Sequence, residues 1–217
     1  MQLVMFDIDG TLVDSSGFDG DLFACAVQDV LGVEVDRTWR SYRNVTDSGV
    51  LGEVLAQYSI DSESALPGVK SRFIGLVKEY LGNTGNLVCE IPGARALISH
   101  LQTIPALSLA IATGGWRETA ELKLAHIGID TAQIPLASSS EAESRVAIMR
   151  LAERLAGSGR PFGRRTYFGD APWDRAASAE LGYSFVGIGS QVEHPVRFKD
   201  FRDRDGILSI LGVKQGE

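Results

Sequence analysis

Three short stretches of this 217-residue chain combine acids, a hydroxyl and glycines in spacings that suit chemistry on an anion. The first is Phe6-Asp7-Ile8-Asp9-Gly10-Thr11, directly after the apolar run 3–6. Aspartates two apart on an extended chain project to the same side. Carboxylates that close repel, and a cation or hydrogen bonds must compensate. Mg²⁺ suits the task, because it favours one or two carboxylates together with water and a phosphate oxygen. An Asx turn is the plainer reading of the same residues. The second stretch, Ile111-Ala112-Thr113-Gly114-Gly115-Trp116, places a hydroxyl and free N–H groups where a helix should begin, which is an anion site or an ordinary capped turn. The third, Phe168-Gly169-Asp170-Ala171-Pro172-Trp173-Asp174, carries two acids four apart, so one helical turn brings them to the same side; Asp174 alone also fits the first turn of a helix.

The elements around these stretches give them a common place. Apolar runs at 3–6, 107–112, 134–137, 166–168 and 183–188 read as strands covered on both faces. Helical patterns at 117–127 and 143–155 separate the later ones, with Gly128 and Gly157 as closing residues. Strand alternating with helix predicts an α/β fold, a Rossmann-like parallel sheet with helices on both faces. Ligands of such sheets bind beyond the carboxyl ends of the strands, and all three stretches fall there. The long gap after the first strand holds three helical patterns, around Leu22–Val30, Val50–Tyr58 and Val69–Leu81. A fourth helix, 92–101, leads into the second strand. The expected division is a core of 1–15 and 90–217 with an α-helical cap domain, 16–89, inserted after the first strand.

Composition narrows the function. Lys+Arg 21 against Asp+Glu 28 leaves a net charge of −7, with no basic run to grip a nucleic acid or an anionic membrane. The first apolar run ends too soon for a signal segment or a membrane span, so a cytoplasmic location is expected. Cys25 and Cys89 lie far apart, outside any metal-binding spacing, and are expected to be small buried apolar residues. Gly187-Ile188-Gly189 lacks the third glycine of a dinucleotide fingerprint, Val192 standing in its place. With no GxSxG, and His100, His126 and His194 scattered, a hydrolase triad has no support. Trp116 and Trp173 flank two of the stretches and either line the site mouth or pack the core.

Asp7-Ile8-Asp9-Gly10-Thr11, Thr113-Gly114 and Gly169-Asp170 with Asp174 resemble three of the four motifs of the haloacid dehalogenase superfamily, in order. The helical insertion is similar to the cap of its phosphoglycolate-phosphatase and β-phosphoglucomutase-like branch. The resemblance implies that Asp7 is a nucleophile forming an aspartyl-phosphate, and that Asp9 protonates the leaving group and then activates water. It implies that Asp7, the Asp9 backbone carbonyl and Asp170 hold Mg²⁺ with Asp174 behind them, and that Thr113 and the Gly114 N–H hold phosphate. The remaining motif departs from the pattern. Its usual lysine is missing, since no lysine lies between Ser138 and Arg165. Arg145, at a helix start, is the best substitute, able to grip phosphate bidentately; a solvated helix arginine is the alternative. Arg150 and Lys123 are weaker candidates.

Asp9 decides among the reactions of such a site. Dehalogenation needs no acid at this position, whereas an alkoxide leaving group does. The expected function is hydrolysis of a small phosphate monoester, with a small phosphorylated metabolite as partner and neither nucleic acid nor membrane. The alternatives are a phosphomutase and a non-catalytic phosphate-binding protein on the same fold. Specificity is expected from the cap, at the turn Arg40-Ser41-Tyr42-Arg43-Asn44, with Arg43 reading a polar or anionic leaving group or else lying on a solvated loop.

Overall fold

The computed structural model describes residues 1–15, 17–86 and 88–213. Its centre is a six-stranded sheet, every neighbouring pair parallel. The strands are β1 (Gln2–Phe6), β2 (Leu107–Ala112), β3 (Leu136–Ala137), β4 (Arg164–Gly169), β5 (Ser184–Ile188) and β6 (Arg197–Phe198), in the order β3-β2-β1-β4-β5-β6. β1 therefore lies between β2 and β4. Phe6 stands opposite Ile111 on one side and Phe168 on the other. This register brings the three motif stretches out together at one rim.

Side chains on β1 alternate between two apolar clusters, as the period of a strand requires. Val4 and Phe6 face one cluster, completed by Leu97 and Leu101 of α4 (Ala94–Gln102), Ala120 and Leu124 of α5 (Arg117–His126), and Ile207 and Leu211 of α8 (Arg204–Leu211). Leu3 and Met5 face the other, with Ile148, Met149 and Ala152 of α6 (Arg145–Gly157) and Ala177 of α7 (Pro172–Leu181).

Between β1 and α4 run α1 (Asp19–Leu31), α2 (Asp47–Gln57) and α3 (Ser62–Gly82). Local signals set their ends: the Thr46 side chain accepts the Gly49 N–H, Asp61 accepts the Ser64 N–H, and Gly32 closes α1 at φ 69°. These helices share a third apolar cluster, which includes Phe23, Val27, Leu51, Val69 and Phe73. Trp116, from the turn after β2, is buried in that cluster rather than in the core of the sheet.

Four details differ from the sequence reading. Only Leu136–Ala137 of the run 134–137 forms a strand, since Pro135 has no N–H for the ladder. A two-residue edge strand, β6, pairs with β5 where the sequence shows no apolar run. Helix α6 ends at a left-handed Ser158, with Gly157 still inside it. Cys25 and Cys89 are exposed, not buried. Helical spacing turns Phe23, Ala26 and Val27 of α1 inward and leaves Cys25 on the outer face.

Candidate active site

The backbone of Asp7 continues the sheet, its N–H donating to Phe168 O at 2.9 Å, so its buried side chain emerges at the middle of the rim. Next to it, Gly10 turns the chain at φ +75°, and a Cβ there would collide with the Asp170 carboxylate. The glycine is required on both counts. Asp170 thus lies directly under the turn that carries Asp9.

Arg145 comes to the same point from the first turn of α6, whose N-cap Ser144 accepts the Ala147 N–H. Its Nη1 lies 3.1 Å from Asp7 Oδ1 and 2.9 Å from Asp174 Oδ1. Nη1 also reaches the Tyr167 hydroxyl at 3.3 Å, while that hydroxyl donates to Ala112 O. A Cβ on Gly114 would sit 2.6 Å from Arg145 Nη2, so the guanidinium spans the space between Asp7 and the glycine turn. Burial opposes the charge on Arg145, but Asp174 and Asp7 outweigh it and raise its pKa well above the ordinary value. Arg150 is exposed, on the far side of the helix.

The carboxylates are correspondingly strained. Burial, then the charge of Asp174, pushes Asp7 well above the usual range. The same two causes raise Asp170 to about 7. Asp174 is raised chiefly by burial, although Arg145 and the Ala171 N–H partly offset this. Asp7, Asp170 and Asp174 each offer an oxygen within 4.8 Å of the others, a set that fits a cation. Both Asp174 oxygens are already engaged, Oδ1 by Arg145 and Oδ2 by the Ala171 N–H at 3.1 Å. Asp7 and Asp170 therefore remain to face a metal, as many carboxylates as Mg²⁺ favours.

Thr113 is buried directly after β2, and its hydroxyl accepts the Gly115 N–H at 3.1 Å. Asp9 stands beside it but is tied elsewhere: its Oδ1 accepts from Lys123 Nζ at 2.5 Å. A cavity of about 360 Å³ opens over the rim, with Asp7, Asp9, Asp170, Thr113, Gly114 and Arg145 in its wall. Trp173 also lines it, whereas Trp116 is withdrawn among the helices.

Arg43 does not reach this cavity. It is exposed, and its backbone N–H donates to Glu53 Oε1 at 2.8 Å. Arg37 and Trp39, earlier in the same segment, line the cavity instead, Arg37 held by Asp21 at 2.9 Å. Sequence reasoning also missed Asp19 and Tyr167, and reads Asp47 only as part of the polar helix start Thr46-Asp47-Ser48. Asp47 accepts the Trp116 N–H at 2.8 Å, capping α5 from another helix; burial and then the charge of Asp19 raise its pKa well above the usual range. Lys123 does not take the missing lysine's place: it meets Asp9 and Asp19, not Asp7. Its sequence signal is its place in the stripe Thr119, Ala120, Lys123, Leu124, the buried face of α5.

The sequence model of the haloacid dehalogenase-like hydrolase family matches residues 4–188 of the chain. Among solved structures, a hydrolase from Pseudomonas syringae is similar at 19% identity and TM-score 0.76, covering 97% of this chain and 99% of that one. CbbY from Rhodobacter sphaeroides, in complex with phosphate, is similar at 17% identity and TM-score 0.70, covering 93% and 95%. A β-phosphoglucomutase from Clostridium difficile is similar at 14% identity and TM-score 0.69, covering 97% and 98%. No curated protein matches the chain by sequence. Among the described residues, no helix is long and apolar enough to cross a membrane.

Proposed function

We propose, from the premise that the chain belongs to the haloacid dehalogenase-like hydrolase family, that it is a Mg²⁺-dependent phosphatase acting on a small phosphate monoester. The observation that carries this reading is the position of Arg145, against Asp7 and reaching Gly114. A guanidinium there neutralises the attacking carboxylate and grips the phosphoryl oxygens, the part usually given to a lysine. Asp174 and Tyr167 hold Arg145 in place.

Asp7 attacks phosphorus, and the bond to the ester oxygen breaks. Asp9 gives its proton to the departing alkoxide. The Asp9 carboxylate then takes a proton from the water that attacks the aspartyl-phosphate, which releases phosphate and restores Asp7. Thr113 and the Gly114 N–H bind the phosphoryl oxygens. Asp7, Asp170 and the Asp9 carbonyl would hold Mg²⁺, which supplies neutralisation of the charge on the transferred group.

Residues 16–89 act as the cap, and Arg37 with Trp39 is the part of it that meets the leaving group. That pairing favours a substrate with a polar or anionic group beyond its phosphate. The reading is tested by mixing the protein with a phosphate monoester and Mg²⁺, then measuring phosphate release and acid-stable labelling of the chain. Wild type should turn over and label, while Asp7→Asn should do neither. Turnover by Asp7→Asn at the wild-type rate would exclude the mechanism.

A further inference from the structure

Lys123 is fully buried, an expensive place for an ammonium unless it is closely paired. Its Nζ meets Asp9 Oδ1 at 2.5 Å and Asp19 Oδ1 at 2.8 Å. The three residues come from different parts of the fold: Asp9 from the turn after β1, Lys123 from α5, and Asp19 from the first turn of α1. The contact therefore ties Asp9 to α5, and Asp19 ties Lys123 in turn to α1. With Oδ1 turned to Lys123, the other oxygen faces the anion-binding turn. A Cβ on Gly115 would lie 3.6 Å from Asp9 Oδ2 and 3.6 Å from Thr113 Oγ1. Oδ2 is thus the oxygen presented to whatever Thr113 and Gly114 hold.

We infer that Lys123 is a positioning residue for the proton donor: anchored by Asp19, it fixes the Asp9 carboxyl so that Oδ2 carries the proton to the leaving group. The inference rests on the assignment of Asp9 as acid and base. In the step concerned, the phosphorus–oxygen bond breaks, its electron pair stays on the ester oxygen, and that oxygen takes the proton from Asp9 Oδ2. Lys123 touches neither the substrate nor the phosphoryl group. Its contribution should scale with how badly the leaving group needs the proton.

The experiment measures the rate of aspartyl-phosphate formation in a single turnover with Mg²⁺, using glycerol 2-phosphate and 2,4-dinitrophenyl phosphate. Lys123→Met leaves Asp9 and Asp19 facing each other without a cation, so the charge-balanced double variant Lys123→Met/Asp19→Asn is measured beside it. Misplacing the donor forfeits part of the roughly 10²–10⁴-fold that proton transfer supplies. Both variants should therefore slow transfer from the glycerol ester by about tenfold or more. Transfer from the dinitrophenyl ester, whose leaving group needs no proton, should stay at the wild-type rate. In an Asp9→Asn background, Lys123→Met should add no further loss with the glycerol ester.

A purely structural lysine would slow both esters alike and would add its loss to that of Asp9→Asn. Either result overturns the inference. Wild type that transfers from neither ester overturns the phosphatase reading itself, and the role of Lys123 with it. Wild type that uses both esters, with variants that use both equally well, overturns the role of Lys123 alone.

Discussion

Arg145→Ala withdraws a guanidinium from between two buried carboxylates, and its cost can be worked from the contacts. The Arg145 side chain is 10% exposed, Asp7 5% and Asp174 0%, so water cannot replace what is lost. Removing one partner of a buried ion pair typically costs about 3–5 kcal/mol. In a domain of this size, each kcal/mol moves Tm by roughly 2–4 °C, so the melting point should fall by about 6–20 °C. Excess Mg²⁺ should recover part of that loss, because Asp7 and Asp170 remain to bind it. Catalysis should suffer separately. Losing a preorganised donor to the transferring group costs about 10²–10³-fold in kcat. The assay is phosphate release at a temperature well below the variant's own Tm, so that unfolding does not enter the rate. Arg145→Lys keeps a charge but not the planar fork that reaches Asp7, Asp174 and Gly114 together, and should restore stability more fully than rate. Arg150→Ala, on the exposed side of the same helix, should stay within about 0.5 kcal/mol and keep full activity. An Arg145→Ala protein with wild-type turnover, or a larger loss from Arg150→Ala, would refute the placement of the missing lysine's function at Arg145.

Two further outcomes follow from the same geometry. Asp170, raised to about 7, binds its proton more tightly folded than unfolded, so metal-free protein should lose stability from this group as pH rises from about 4 to about 7. Mg²⁺ competes with that proton, so the rise in Tm on adding Mg²⁺ should be larger at pH 8 than at pH 6, and EDTA should abolish both that gain and the activity; a gain independent of pH would count against Asp170 as a ligand. Arg37→Ala should weaken kcat/KM for a substrate with a second polar group by about 1–3 kcal/mol while sparing p-nitrophenyl phosphate, whereas Arg43→Ala should change neither.

The rim of the site was legible because its signal is local. Each motif follows a buried apolar run, and parallel register does the rest, setting Phe6 between Ile111 and Phe168. Arg145 could be read for a related reason: it stands at a helix start in the one interval where the family's lysine is missing. What escaped the sequence depends on pairing between distant segments. The Asp36 carboxylate binds the Thr38 N–H and the Ser41 hydroxyl, while the Tyr42 hydroxyl accepts the Asp36 N–H. These bonds fold the segment back on itself, so that Arg37 faces the cavity and Arg43 lies towards Glu53. The place of Lys123 on the buried face of α5 is readable from the sequence, but its partners are not until α1 and the Asp9 turn are brought against it.

The indole of Trp116 joins the helices over the cavity to the turn after β2. Its ring lies 5.8 Å from Phe23 and 5.9 Å from Phe73, and its Nε1–H donates to Ser48. A buried aromatic of this kind removes roughly 150–250 Å² from water. At about 25 cal/mol per Å², that is about 4–6 kcal/mol. The first turn of α2 adds hydrogen bonds: the Asp47 N–H donates to Gly114 O, the Thr46 hydroxyl to Glu143 O, and the Ser48 hydroxyl to Ser139 O. Gly114 belongs to the turn proposed to meet phosphate, and Glu143 lies two residues before Arg145. Lifting α2 would therefore break the indole's hydrogen bond to Ser48 and the backbone ties to Gly114, Glu143 and Ser139 at once. At the other edge of the cavity, Arg37 and Asp21 form a pair more than 60% exposed on each side, worth about 0–1 kcal/mol. The Arg37–Asp21 pair is thus the weaker of these two ties at the cavity, and it belongs to the residue proposed above to meet the leaving group.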